Sequence, residues 1–415
     1  MSDALITAAL PKRPATTDDL VAAIRAAAES NTQLRLTGSN SLPLTRFDPA
    51  RPVQEISTLR LNKVLDHAIA DMTITVQAGI SLDALQRHLA WHNQWLPVDP
   101  PIIAAQPGRQ PNQRTLGGLI ATNSLGPLRF SNAGGADWRL FIMGMKWIDA
   151  SGTLIKGGGR TMKNVAGYST PRLMIGSCGS LGAIAEVTLR TFARPQDEQC
   201  VIFFCTSASQ AEELLADILT SATTPAYLQA VGGRTFTDNP LQLPSPKKGM
   251  AIVAGFLDRP QSCVAQIDTL RALPAARGIE SISQTAAQSG RLRLWMTTEP
   301  SLETLGTAQG LGVRVHALSS EICPLIAALE SATKSAGGKS WLVSEAAAGV
   351  LRAAIAAPNA AGILREAIAA HAPQARTFIT QGNAAPAADN SSSLAARLKA
   401  ELDPHSTFGH PRESL

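Results

Sequence analysis

Between Gly157 and Leu189 the chain reads GGGRTMKNVAGYSTPRLMIGSCGSLGAIAEVTL. Two glycine clusters flank a Lys163-Asn164 pair and Tyr168, and the segment closes on an alternating β-type run. Gly176, Gly179 and Gly182 recur every third residue. Glycine is used where the backbone takes positive φ or passes close to something bulky. So much of it just ahead of a strand has two readings. One is a backbone moulded around a ligand; the other is a glycine-rich surface loop.

A chain of 415 residues is too long for one core and points to two or three domains. With 45% hydrophobic and 17% charged residues it can bury a sizeable core, and with 4% aromatics that core is mostly aliphatic. A net charge of +5 suits an anionic ligand. No Lys/Arg block interleaved with aromatics occurs, so nucleic acid is not an expected partner. Cys178, Cys200, Cys205, Cys263 and Cys323 are odd in number, scattered and without a CxxC. This argues against a disulfide framework or a zinc site and fits a reducing compartment. The N-terminus lacks a basic, then apolar leader, and no apolar run reaches the roughly 20 residues of a membrane span. The expected location is the cytoplasm.

Thr17-Asp18-Asp19 reads as a helix start, with Leu20, Ile24 and Ala27 or Ala28 on one face. Leu34 to Leu36 and Thr73 to Gln77 read as strands, and Ser81 as the cap of a helix reaching Asn93. Leu96 to Pro101 is a proline-rich loop, and Thr115 to Asn123 a helix with two glycines near its start. Met143 to Lys156 reads as a hairpin and Ala183 to Phe192 as a strand. The polar break Arg194 to Glu198 marks a boundary. Beyond it, Val201–Cys205, Ala251–Phe256, Arg291–Met296 and Val313–Ala317 read as strands. Residues 209–221, 261–273, 321–336 and 394–402 read as helices. The expected division is 1–195, 196–390 and a C-terminal helix and tail at 391–415. The second part is an α+β unit with an antiparallel sheet and helices on one face.

Common motifs fail. Gly338-Lys339-Ser340 ends like a P-loop, but Thr333 stands where its first glycine belongs. The 176/179/182 spacing is GxxGxxG and precedes a strand, unlike a Rossmann turn. His88 and His92 are four apart on a helix but have no third ligand nearby in sequence, so no metal site is expected. Neither HExxH nor Gly-x-Ser-x-Gly occurs. What remains is three glycine-bearing turns, Thr37–Ser41, Leu116–Gly118 and Gly176–Gly182. Backbone N–H groups in such turns, and at a following helix N-terminus, are donors to a pyrophosphate. Their spread suits a long dinucleotide better than one phosphate.

These residues resemble a family. Leu36-Thr37-Gly38-Ser39, Leu61 to Leu65, Thr73 to Gly79, Leu96 to Pro101, Thr115 to Ala121, Met162 to Tyr168, Arg172 to Gly176, Gly179 to Glu186 and Leu402 to Phe408 carry the resemblance. It is to the FAD-binding domain of the vanillyl-alcohol oxidase / p-cresol methylhydroxylase flavoproteins. More narrowly, it is to the smaller FAD-binding component of bacterial glycolate oxidases (glycolate dehydrogenases). The order and spacing match from about residue 10 to 195, and Met162 to Tyr168 is the most specific piece.

The resemblance implies an α+β fold: a two-part FAD-binding domain of the p-cresol methylhydroxylase type, then an α+β domain with an antiparallel sheet. Thr37, Gly38, Ser39, Asn40 and Ser41 would form the first pyrophosphate loop, with Asn40 where the family usually has glycine. Ser41 stands where some relatives carry a flavin-linking histidine, so FAD is expected to be non-covalent. Pro97, Asp99 and Pro100 would lie beside the isoalloxazine. Thr115, Gly117, Gly118 and Asn123 would meet the pyrophosphate and flavin. Gly179, Gly182 and Ile184 would approach the adenine end. Lys163, Asn164 and Tyr168 would lie near the flavin, Lys163 placing charge at the N1/C2 carbonyl.

Catalytic groups are harder to find. A 2-hydroxy acid oxidase needs a cation for the carboxylate and a base for the hydroxyl proton. The His-x-Gly-Asp-Gly-Asn type of motif of related catalytic subunits has no counterpart here, for His316 and His371 are isolated and Gln381-Gly382-Asn383 lacks histidine and acid. Arg291 and Arg293, alternating on the expected strand, read as its solvent face. The resemblance therefore implies an FAD-bearing accessory or electron-relay subunit. Its partners would be a second flavoprotein and an iron–sulfur subunit, with any contact to the inner membrane made through them. A self-sufficient FAD-dependent dehydrogenase of a small 2-hydroxy acid, glycolate or D-lactate, is the alternative. A scaffold without FAD is a weaker one.

Overall fold

The computed structural model describes residues 12–39, 45–103, 114–130, 137–159, 170–246, 249–273, 278–306, 310–382 and 394–411. Helix α1 (Thr17–Glu29) begins where the sequence places it, with Thr16 as its cap. The Thr16 hydroxyl accepts from Asp19 N–H at 3.1 Å, and the Asp19 carboxylate accepts from Thr16 N–H at 3.0 Å. This reciprocal cap satisfies two otherwise orphaned N–H groups. Strands β1 (Gln33–Thr37) and β2 (Val53–Ser57) then pair in parallel.

A second sheet uses β3 (Val64–Ala68), β4 (Thr73–Gln77), β5 (Ile142–Ile148), β6 (Leu154–Gly158) and β7 (Ala183–Arg190) in the order β3-β4-β7-β5-β6. Strand β7 is central, and its alternation divides two cores. Ala183 and Ala185 face α1, where Leu20, Ile24, Leu34 and Ile56 are buried. Ile184, Val187 and Leu189 face helices α2 (Leu82–Ala90) and α3 (Leu116–Ala121). The switch of parity falls at an irregularity between Ile184 and Glu186. Each fully buried leucine or isoleucine stabilises this arrangement by about 1.5–3 kcal/mol.

From Asp197 the chain builds an antiparallel sheet of eight strands. They are β8 (Asp197–Cys205), β9 (Tyr227–Gly232), β10 (Met250–Asp258), β11 (Glu280–Gln284), β12 (Leu311–His316), β13 (Lys339–Glu345), β14 (Val350–Ala356) and β15 (Arg376–Gln381), in the order β11-β8-β10-β9-β13-β14-β12-β15. Four helices, α4 (Ala208–Thr220), α5 (Pro260–Ala272), α7 (Ile322–Ser335) and α8 (Ala360–His371), cover one face through Leu214, Ile267, Leu325 and Leu364.

A further helix, α6 (Ala286–Thr297), corrects two expectations. Residues 291–296 are helical, not a strand, because Thr285 and Gln288 cap the segment and the buried residues Ser289, Leu292 and Met296 follow a helical spacing. The helix also lies on the opposite face of the sheet, where Leu292 and Met296 join a core with Tyr227, Val253 and Leu128 of the N-terminal part.

The C-terminal helix α9 (Leu394–Leu402) returns the chain to its beginning. Leu34 N–H donates to Thr407 O at 2.6 Å, Phe408 is buried in the α1 core, and His410 pairs with Arg46.

Candidate functional site

The three glycine turns meet in one cleft of about 130 Å3. Thr37, Gly38 and Ser39 line it from the end of β1, Thr115, Gly117 and Gly118 from the start of α3, and Gly179, Gly182 and Ile184 from the turn leading into β7. A Cβ on Gly38 would stand 2.1 Å from Thr115 Oγ1, so only glycine lets the first two turns touch. Gly179 has φ +75°, and a Cβ there would meet nothing within 4 Å, so its backbone faces open space.

Arg35, Arg114 and Cys178 line the cleft too, and among the described residues none of its lining is acidic. Burial, and then Arg314, push the Arg114 guanidinium down to about 10, which still leaves it charged at neutral pH. Arg114 donates to Pro101 O at 2.6 Å and to Ser124 Oγ at 3.3 Å. Arg314, from β12, donates to the same hydroxyl at 3.1 Å and so joins the eight-stranded sheet to the end of α3. Sequence reasoning assigns neither cation to the site. The only signal for Arg114 is its place directly before Thr115.

One expectation about α3 is corrected. Its first N–H groups are not offered to a ligand: Leu116 donates to Ile80 O at 2.9 Å, Gly117 to Ala78 O at 2.7 Å and Gly118 to Thr115 Oγ1 at 3.4 Å. The helix start is stitched to the chain leaving β4. Among the described residues, the N–H groups of Gly38 and Ser39 meet no protein acceptor. These open donors and the cleft-lining arginines are a donor set that fits a pyrophosphate-containing group, with the half-buried Gly179, whose N–H donates to Ser177 Oγ at 3.4 Å, leaving room beside them.

Arg114 also lines a second cavity of about 380 Å3, between the 96–103 loop and α6. Asp99 and Pro100 line it with Gln86, Arg293, Leu294 and Thr297. Pro97 is buried in the same loop. Asn123 sits just past α3 with φ +47°, beside the cleft-lining Thr122. Asn40, Ser41, Lys163, Asn164 and Tyr168 lie outside the described residues.

Arg293 is not on a solvent face. Its Nε and Nη2 donate to the two Glu198 oxygens at 2.7 and 3.0 Å, and its Nη1 to Asp99 Oδ2 at 2.8 Å. Burial works against the Arg293 charge, but Asp99 and Glu198 outweigh it and hold the guanidinium firmly protonated. Burial pushes the Asp99 carboxyl up to about 6, against the pull of Arg293 and of Leu128 N–H at 2.9 Å. Every nitrogen of this guanidinium is therefore engaged by protein.

The pair His88 and His92 gains a third member: His67 on β3 stands beside both, with ring centroids 5.2 and 5.0 Å away. Sequence spacing could not show this, because 21 residues separate His67 from His88.

The fold and the donor set of the cleft fit an FAD-binding flavoprotein. Residues 9–158 match the family described as FAD binding domain. Glycolate oxidase subunit GlcE of Escherichia coli (strain K12) is 30% identical over 179 residues, 43% of this chain and 47% of that protein. D-2-hydroxyglutarate dehydrogenase of Xanthomonas citri pv. viticola is 40% identical over 137 residues, 32% of this chain and 26% of that protein. Glycolate oxidase subunit GlcD of Bacillus subtilis (strain 168) is 28% identical over 183 residues, 44% and 35% of the two chains. The chain thus spans less than half the length of these curated relatives. Two solved structures share the fold. An alkyldihydroxyacetonephosphate synthase has a TM-score of 0.69 at 16% identity, covering 97% of this chain and 75% of that one. A chitooligosaccharide oxidase has a TM-score of 0.66 at 13% identity, covering 97% and 90%. The expected α+β architecture and FAD-binding family are both borne out. Among the described residues, no helix is long and apolar enough to cross a membrane.

Proposed function

We propose that the chain binds FAD non-covalently and serves as the FAD-bearing accessory or electron-relay subunit of an oxidoreductase acting on a small 2-hydroxy acid, glycolate to glyoxylate. The observation that carries this reading is the cleft that, among the described residues, gathers three glycine turns around Arg35 and Arg114 and no acid. Thr37, Gly38 and Ser39 would meet the pyrophosphate with Arg35 and Arg114 nearby. Gly179, Gly182 and Ile184 would bound the adenine end. The 96–103 loop would bring Asp99 and Pro100 toward the isoalloxazine. When bound, FAD supplies the capacity to accept and pass on electron pairs. The protein's part is to bind the dinucleotide, orient it and shield it from water.

The cavity beside that loop supports the accessory role. Arg293, the cation best placed for a substrate carboxylate, commits three of its five N–H donors to Glu198 and Asp99, whose two carboxylates offset its charge. Arg114 is held by Pro101 and Ser124. Chemistry on a hydroxy acid is then left to a second flavoprotein, with electrons passed to an iron–sulfur partner. The three-part division at about residues 195 and 390 belongs to the same reading, with any membrane contact made through partners.

The test is anaerobic mixing of the purified, FAD-loaded chain with glycolate or D-lactate. The proposal expects the flavin absorbance to persist until the partner flavoprotein is added. Bleaching by the isolated chain would establish the self-sufficient dehydrogenase instead.

A further inference from the structure

Helix α2 ends in a way that builds a second site, outside the lining of the glycine-turn cleft. Its last turn carries His88, and Asn93 takes a left-handed conformation (φ +53°) that turns the chain back after His92. The two imidazoles therefore stand at the helix C-terminus, where unpaired carbonyls favour a cation. Strand β3, at the edge of its sheet, adds His67. One nitrogen from each ring can be chosen so that all three lie within 4.8 Å of one another.

The orientation of His67 is fixed from behind. Gln94, 4% exposed, donates its amide N–H to Ile69 O at 2.9 Å, so its Oε1 is an acceptor. That oxygen takes the Thr191 hydroxyl at 2.6 Å and faces His67 Nε2 at 3.1 Å. His67 must then carry its proton on Nε2, which leaves the Nδ1 lone pair aimed at His88 Nε2, 3.2 Å away. A buried carbonyl that sets the tautomer of an imidazole and points its other nitrogen into a cluster is the outer-shell arrangement that orients metal-binding histidines. Among the described residues, no lysine or arginine is bonded to these rings.

We propose that His67, His88 and His92 bind one divalent transition ion of the zinc, nickel or copper class. Three neutral imidazoles suit these ions and do not suit magnesium or calcium, which select oxygen. Bonds of about 2.0–2.1 Å require the nitrogens to close to roughly 3.3 Å. The exposed His92 ring supplies that adjustment. The fourth position is left to water or to a partner's side chain. The ion would tie the edge strand β3 to α2.

The experiment uses the full chain, free of any affinity tag and stripped with chelator, titrated with Zn2+ by calorimetry and followed by thermal unfolding. The expected result is one tight ion per chain and a higher Tm. His92→Gln and His67→Gln should each weaken binding by more than the roughly 10- to 100-fold typical of losing an outer-shell partner and remove the Tm shift. Because His92 is exposed, His92→Gln should keep the fold and the FAD affinity of the parent, which separates loss of the site from unfolding. Zn2+ binding and a Tm shift that persist unchanged in His92→Gln would overturn the proposal. So would the absence of stoichiometric binding by the parent chain.

Discussion

Lys399 Nζ donates to the carbonyl of Ser180 at 2.7 Å, joining the C-terminal helix to the third glycine turn across 219 residues of sequence. The same ammonium reaches Phe408 O at 2.8 Å and the buried Asp403 carboxylate. Asp403 in turn accepts from Thr407 N–H at 2.7 Å and Phe408 N–H at 2.8 Å. Burial pulls the Lys399 ammonium down, and Asp403 opposes it. The tail is thus a brace behind the cleft.

Lys399→Met keeps the length of the side chain and strands the Asp403 charge. Losing one partner of a buried pair costs about 3–5 kcal/mol. Urea unfolding should show that loss, and FAD titration should show weaker binding because the turn before β7 loses its support. Adding Asp403→Asn should recover part of the stability. An unchanged unfolding midpoint in the single variant would mean that the brace carries no energy.

Gly38→Ala tests the contact of the first two turns. The added methyl would stand 2.1 Å from Thr115 Oγ1 and 2.8 Å from its Cγ2. Overpacking of this kind costs about 1–3 kcal/mol. The cleft wall must shift, so FAD affinity, read by quenching of flavin fluorescence, should fall by more than the stability does. Pairing the change with Thr115→Ala should restore part of the binding. Parent-like FAD affinity in Gly38→Ala would show that this contact does not shape the site.

The Asp99–Arg293 contact makes a prediction about pH. In the unfolded chain an aspartate titrates near 3.8, and in the fold Asp99 titrates near 6. The folded state therefore holds this proton more tightly. Its contribution to stability is fully present below about 3.8 and is lost as pH rises through about 6. Asp99→Asn lacks that slope. The stability gap between parent and variant, from urea midpoints at a series of pH values, should change between about pH 4 and 6 in the direction that disfavours the parent. A gap that is flat or moves the other way across this window contradicts the assignment.

Lys163 carries the flavin-proximal expectation from the resemblance. Lys163→Met should lower the flavin midpoint potential and weaken FAD binding, both measured on the purified chain. If neither moves, the residue has no part in the site.

Much of the fold is legible in the sequence because its signals are local. Ser81 caps α2, Leu20, Ile24 and Ala27 repeat with helical period, and Thr73–Gln77 alternates as a strand should. Helix α6 is not legible. Arg291-Leu292-Arg293-Leu294 alternates with period two, while the groups that decide its state, the Thr285 cap and the core residues Tyr227 and Val253 that receive Leu292, lie outside that window. Strands β13 and β14 escape a sequence reading because they are buried almost throughout, so they show no alternation of polar and apolar residues. In the site, the glycine turns announce themselves by backbone need. Arg114, Arg293 and His67 do not, because their roles arise from contacts with residues distant in sequence.

Cys178 gives the most direct test of the central claim, that FAD lies in the cleft of the three glycine turns. It lines that cleft and is half-buried, whereas Cys200, Cys205, Cys263 and Cys323 are buried. Burial pushes the thiols of Cys200, Cys205 and Cys323 up to about 12, which leaves them unreactive. Alkylation of the FAD-stripped chain with N-ethylmaleimide, mapped by peptide mass spectrometry, should therefore label Cys178 first. Added FAD should slow that labelling in proportion to flavin occupancy. Labelling of Cys178 at the same rate with FAD bound would contradict the account.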